Sequence, residues 1–149
     1  MNMKFKELLL KILKIESIVG KTDANERVLN ISMEFLKEFH FKKFVHEKTL
    51  SLLFYNNFPK SKKFKIILNA HLDVVPGNKN QFVPKVVADK LYARGACDMK
   101  SGATVMMSVF KDIAKKVNYP LALQLVTDEE IGGFNGTKHQ IDNGIKPGR

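Results

Sequence analysis

A single cysteine, Cys97, is present, so no disulfide can close within the chain, and such sparing use fits a reducing, cytoplasmic setting. Long apolar runs are missing as well. No stretch approaches the ~20 residues that a membrane-spanning helix needs. At the N-terminus Lys4, Lys6, Lys11 and Lys14 interleave with Phe5, Leu8, Leu9, Ile12 and Leu13. That is the period of an amphipathic helix, not the unbroken apolar core of a signal peptide. Acids are scarce: 15 Asp and Glu face 25 Lys and Arg, a formal charge of +10. Such an excess admits nucleic acid or an anionic membrane as a partner. The lysines are spread along the chain, however, with the densest cluster at Lys60, Lys62, Lys63 and Lys65. No aromatic stacking platform or zinc-finger spacing accompanies them, so neither nucleic acid nor a membrane is the expected partner. Internal repeats and low-complexity segments are also absent.

What remains is an ordinary globular composition, 44% hydrophobic and 27% charged over 149 residues, enough for one core. Periodicity predicts a first helix over 4–17, stopped near Gly20. Thr22 or Asp23 would cap a second helix, with Glu26 completing a capping box and the end near His40. Strands are expected over 44–46 and 50–55, joined by a turn at Glu47-Lys48, then over 64–68. A small hairpin is expected over 85–92, turning at Asp89-Lys90. A helix over 101–117, a strand over 120–126 and a last helix over 137–143, ended by Gly144, complete the pattern. Strands alternating with helices predict an α/β protein: a three-layer α/β/α sandwich with a mostly parallel central sheet.

Three short stretches carry chemistry. In Asn69-Ala70-His71-Leu72-Asp73, His71 and Asp73 share one face of an extended backbone at a strand's end, an arrangement suited to metal binding. Residues 93–102 run Ala-Arg-Gly-Ala-Cys-Asp-Met-Lys-Ser-Gly into a helix. Asp98 there can be either a helix-capping carboxylate or a site residue. Cys97 reads as a small filler rather than a nucleophile, since no histidine is near it in sequence and Asp98 would raise its pKa. Asp128-Glu129-Glu130 directly follows the 120–126 strand and precedes Gly132-Gly133. Three adjacent acids repel one another; a solvated loop is the ordinary explanation, and a divalent cation would give the cluster a purpose. An imidazole with several carboxylates suits zinc, with manganese or cobalt as substitutes. Because metal lowers the pKa of bound water towards ~7, hydrolysis is the reaction class.

The three signatures His71-x-Asp73, Gly95-x-x-Asp98-Met99-Lys100 and Asp128-Glu129-Glu130-x-Gly132, in this order, resemble the aminoacylase, acetylornithine deacetylase and succinyl-diaminopimelate desuccinylase family of co-catalytic zinc metallopeptidases. The resemblance implies a fold of the zinc-exopeptidase type and two Zn2+ ions. His71, Asp98 and Glu130 would be metal ligands, with Asp98 bridging and followed by a cis peptide. Asp73 would orient the His71 imidazole and Glu129 would be the general base. Substrates would be N-acyl amino acids or short peptides, with the acyl group or peptide left open.

The family's remaining carboxylate and histidine ligands, and its lid and dimerisation domain, have no counterpart in residues 1–149. The expectation is therefore the N-terminal portion of a catalytic domain, inactive in isolation. A longer form could dimerise through the missing domain. The other histidines are His40, His46 and His139; His139, on the last helix beside Lys138, is expected at the surface rather than as a replacement ligand. A catalytically silent interaction module is the alternative reading, and a basic nucleic-acid binder a distant third.

Overall fold

The computed structural model describes residues 3–148, with side chains from residue 5 onward. Among the described residues there are four α-helices: α1 (Met3–Leu13), α2 (Thr22–Phe35), α3 (Lys100–Ile113) and the single-turn α4 (His139–Asp142). The strands are β1 (His40–His46), β2 (Thr49–Tyr55), β3 (Lys63–Phe64), β4 (Ile66–His71), β5 (Lys85–Val87), β6 (Lys90–Tyr92), β7 (Leu121–Val126) and β8 (Lys146–Pro147). The main sheet has the order β1-β2-β7-β4, and β3 with β8 and β5 with β6 form two-stranded ladders beside it. The α/β class expected from the sequence is present, with a mixed sheet. β4 runs parallel to β7, while β7 with β2 and β2 with β1 are antiparallel.

β7 is central and all six of its residues are buried, so its alternation sorts residues between two apolar layers. Leu121, Leu123 and Leu125 join Leu52, Phe54 and Ala70 under α1, α2 and α3, where Ile12, Leu29, Met107 and Phe110 pack against them. Ala122 faces the other way, with Leu53, Phe64 and Ile145. That second side is closed by the 134–142 segment, in which Gln140 donates to the Ser51 hydroxyl. Helices thus lie on one face and a short helical segment on the other, the three-layer arrangement.

Several boundaries differ from expectation. α1 stops at Leu13 rather than Ser17, because residues 14–18 leave the helix to reach the end of β4. The N-cap of α2 is Lys21 and no side chain caps it, so the Asp23–Glu26 capping box does not form. α2 also ends at Phe35, well short of His40. Leu36 and Phe39 keep an apolar spacing in the turn that follows, and both are buried. His40 already starts β1, which pairs with β2 over seven residues. The strand expected over 64–68 is two strands, with β4 continuing to His71. The final helix is a π-helical turn, Phe134–Lys138, followed by α4.

Candidate metal centre

Parallel pairing of β4 with β7 sets His71 opposite Val126, so both strands release their chains at the same edge of the sheet. The loop after β7 therefore begins beside His71. Asp98 arrives from elsewhere, at the turn between the β5–β6 hairpin and α3. The Asp98–Met99 peptide is cis. Asp98 does not cap α3; Met99 is the N-cap residue, and no side chain caps the helix. Instead the Asp98 carboxylate, 74% exposed, lies with Oδ1 3.0 Å from His71 Nε2. One ligand atom each from His71, Asp98 and Glu130 lies within 4.8 Å of the other two, the arrangement expected of a metal-binding set.

Asp73 organises this cluster from beneath. It is fully buried, and its Oδ2 accepts the Glu130 backbone N–H at 2.9 Å. Its backbone carbonyl lies 3.1 Å from His71 Nδ1 and its Oδ1 lies 3.5 Å from the same nitrogen. A proton on Nδ1 is thereby favoured, leaving Nε2 aimed at Asp98 and free to ligate. Oδ1 of Asp73 has no hydrogen-bond partner besides this contact. Burial opposes charging His71, but the Asp73 carboxylate and then Asp98 outweigh it and hold its pKa at about 9. Glu129, expected as general base, is exposed, with Oε2 3.6 Å from His71 Nε2. The donor set fits a borderline divalent cation: one imidazole nitrogen, two carboxylates and a buried acid fixing the imidazole. The structure thus brings together all five residues singled out in the sequence: His71, Asp73, Asp98, Glu129 and Glu130.

Asp128, the first acid of the run, has a different task. It is buried, and its Oδ2 accepts the N–H groups of Asn135 at 2.8 Å and Gly136 at 3.0 Å. Burial raises its pKa, those two donors lower it, and the Asp73 charge raises it again, for a net upward shift. Asp128 thereby fastens the π-helical turn to the loop bearing Glu129 and Glu130. Gly136 permits this. A Cβ there would strike Asp128 Oδ1 and come within 3.0 Å of the Val126 Cβ. Gly136→Ala is expected to cost about 1–3 kcal/mol by overpacking. Urea denaturation of the variant measures it.

Lys100 is a second residue whose role the sequence hid. Its side chain is fully buried, and Nζ donates to the carbonyls of Ile12 at 3.2 Å and Ile15 at 2.7 Å. Burial lowers its pKa from 10.5 to about 8, against the opposing pull of Asp73. The two shifted groups give metal-free stability a specific pH profile. His71 binds its proton more tightly folded than unfolded, so its contribution is full below 6.5 and is lost as pH rises to about 9. Lys100 binds its proton less tightly when folded, so stability is regained from about 8 up to 10.5. Stability in chelator is expected to pass through a minimum at pH 8–9, read by urea melts across that range. A monotonic profile would contradict the assignment.

Cys97 is exposed rather than a packed filler, because the turn before Asp98 holds it outward. His139 is half-buried and stacks on His46 at 4.5 Å, remote from the carboxylate cluster in its contacts. Among the described residues no helix is long and apolar enough to cross a membrane.

An α/β sheet whose parallel strand ends deliver an imidazole and a set of carboxylates to one point defines a class of metal-binding α/β proteins. Residues 67–149, more than half of the chain, match peptidase family M20/M25/M40, and the chain belongs to that family. It is 29% identical over 140 residues to a succinyl-diaminopimelate desuccinylase of Nautilia profundicola, a match spanning 91% of this chain and 37% of that protein. It is 31% identical over 144 residues to a [LysW]-lysine/[LysW]-ornithine hydrolase of Sulfurisphaera tokodaii, spanning 96% and 37% respectively. The fold superposes on human carnosine dipeptidase 1 with a TM-score of 0.73 at 17% identity, over 94% of this chain and 35% of that one. The chain thus spans little more than a third of the length of these relatives.

Proposed function

We propose that this chain carries the N-terminal portion of the catalytic domain of a metal-dependent amidohydrolase acting on N-acyl amino acids or short peptides. The observation that supports this reading is the convergence of His71, Asp98 and Glu130 within 4.8 Å, from three separated loops of a family member. These three would hold the metal, taken as two Zn2+ ions, with Co2+ or Mn2+ as substitutes. Bound metal would supply charge to polarise the scissile carbonyl and acidify the attacking water.

The protein's own groups do the rest. Asp73 keeps the His71 proton on Nδ1 and holds the Glu130 backbone in place. Glu129, exposed and beside the ligands, takes the proton of the attacking water and passes it to the leaving amine. The relatives include a succinyl-diaminopimelate desuccinylase and a [LysW]-lysine/[LysW]-ornithine hydrolase, and we infer from them that the bond cut is an amide of an amino-acid derivative.

The direct test is cobalt titration of the chain, followed by visible absorption. Uptake is expected in the wild type and is expected to be lost in His71→Ala. Uptake unaffected by His71→Ala would reject the ligand set.

A further inference from the structure

Two loops that are far apart in sequence must be held at a fixed separation for His71 and Asp98 to face each other. The strands cannot do this, because the 93–99 turn belongs to no strand of the main sheet. The end of α1 and the residues that follow it contact both loops. On one side the buried Ser17 hydroxyl donates to the Leu72 carbonyl at 2.6 Å, between His71 and Asp73. The Val74 N–H donates to the Ser17 carbonyl at 3.0 Å, and Ile18 bridges Val74 in parallel. On the other side Lys100, two residues after Asp98, sends its ammonium into the carbonyls of Ile12 and Ile15.

Those carbonyls lie at and just beyond the end of α1, where a cation is favoured, and the Ile12 carbonyl also accepts the Ile15 N–H at 3.2 Å. Gly95 closes the gap between the two attachments. At φ +79°, it would bring a Cβ to 2.8 Å from Val74 Cγ1 and 2.9 Å from Lys100 Cδ, so only a bare backbone fits between them. Its carbonyl also accepts the Lys100 N–H at 2.9 Å.

We propose that residues 12–18 are a splint that sets the separation of His71 and Asp98, with Ser17 and Lys100 as positioning residues. The ligand roles rest on the proposed function; the mechanical linkage does not. Removing either fastener lets one ligand loop move relative to the other. Groups that orient metal ligands without touching the metal are typically worth about 10–100-fold in affinity.

The experiment compares Ser17→Ala, Lys100→Met and Met107→Ala in the full chain. Met107 is a buried core residue of α3 and controls for lost stability. Each fastener variant is expected to weaken cobalt binding about 10–100-fold, with Met107→Ala unchanged. Amide hydrogen exchange of the metal-free protein is the second readout. In the fastener variants, exchange is expected to quicken at 12–18 and at the attached loop together, 71–74 for Ser17→Ala and 95–99 for Lys100→Met. Cobalt affinities matching the control, or faster exchange confined to 12–18, would overturn the splint. A wild type that takes up no cobalt rejects the ligand assignment, and exchange alone then decides the splint. Should Lys100→Met fail to fold, Ser17→Ala carries both readouts.

Discussion

In a family-length protein containing this segment, Glu129→Gln is expected to lower kcat by about 10²–10⁴-fold, the usual worth of a positioned general base. Metal affinity is expected to hold. The two adjacent acids differ in what they touch. The Glu130 backbone is pinned by Asp73, and its side chain belongs to the cluster with His71 and Asp98. Glu129 is exposed and stands 3.6 Å from the imidazole, near enough to serve a water at the ligands yet outside their set. Glutamine preserves its length and leaves intact the turn in which the Gly132 N–H donates to the carbonyl of residue 129 at 2.8 Å. The amide cannot accept a proton, so the loss falls on kcat. Glu130→Gln divides the other way, costing metal affinity first. Steady-state kinetics beside cobalt titration separates the two. A Glu129→Gln enzyme with undiminished kcat would place the base on another residue.

That these residues meet at one point was largely visible in the sequence, because each follows a strand or hairpin whose end could be located; separate roles for Glu129 and Glu130 came only as what the resemblance implies. His71 and the 128–130 acids come together through strand register, which hydrophobic periodicity announces. Strand direction is another matter. Nothing in the alternation of residues 50–55 tells whether that strand lies parallel or antiparallel to 121–126, and the sheet is mixed because β2 enters from the opposite end. The α2 boundary misled for a related reason. Leu36 and Phe39 are spaced as a helix would space them, yet they are buried from a turn, where tertiary packing overrides local periodicity. Lys100 and Ser17 were beyond reach altogether. A lysine beside a helix start reads as surface charge, and its burial depends on carbonyls 85 and 88 residues away. By charge alone Asp128 looked like its two neighbours, and the resemblance gave it no role. Only the fold separates it, by placing two backbone N–H groups on its inner oxygen.

Asp73→Asn is expected to weaken metal binding about 10–100-fold while leaving the fold intact. The substitution is isosteric at a fully buried position, so no cavity forms and the amide oxygen can still accept the Glu130 N–H. What disappears is a negative charge against His71 Nδ1. The Asp73 backbone carbonyl remains 3.1 Å from that nitrogen, so the tautomer survives. The imidazole becomes a poorer electron donor, because the carboxylate that raised its basicity is gone. The same loss moves the proton equilibrium: without that carboxylate the His71 pKa falls from about 9 towards its ordinary value. In chelator the variant therefore loses the falling limb of the stability profile below pH 9 and keeps the rising limb due to Lys100. The opposing Asp73 attraction on Lys100 is removed too, which carries that limb to lower pH. Weakened cobalt binding with the falling limb gone assigns both effects to one carboxylate. Weakened binding with the limb retained would show that Asp73 acts on Glu130 alone, through the backbone bond, and not on the imidazole.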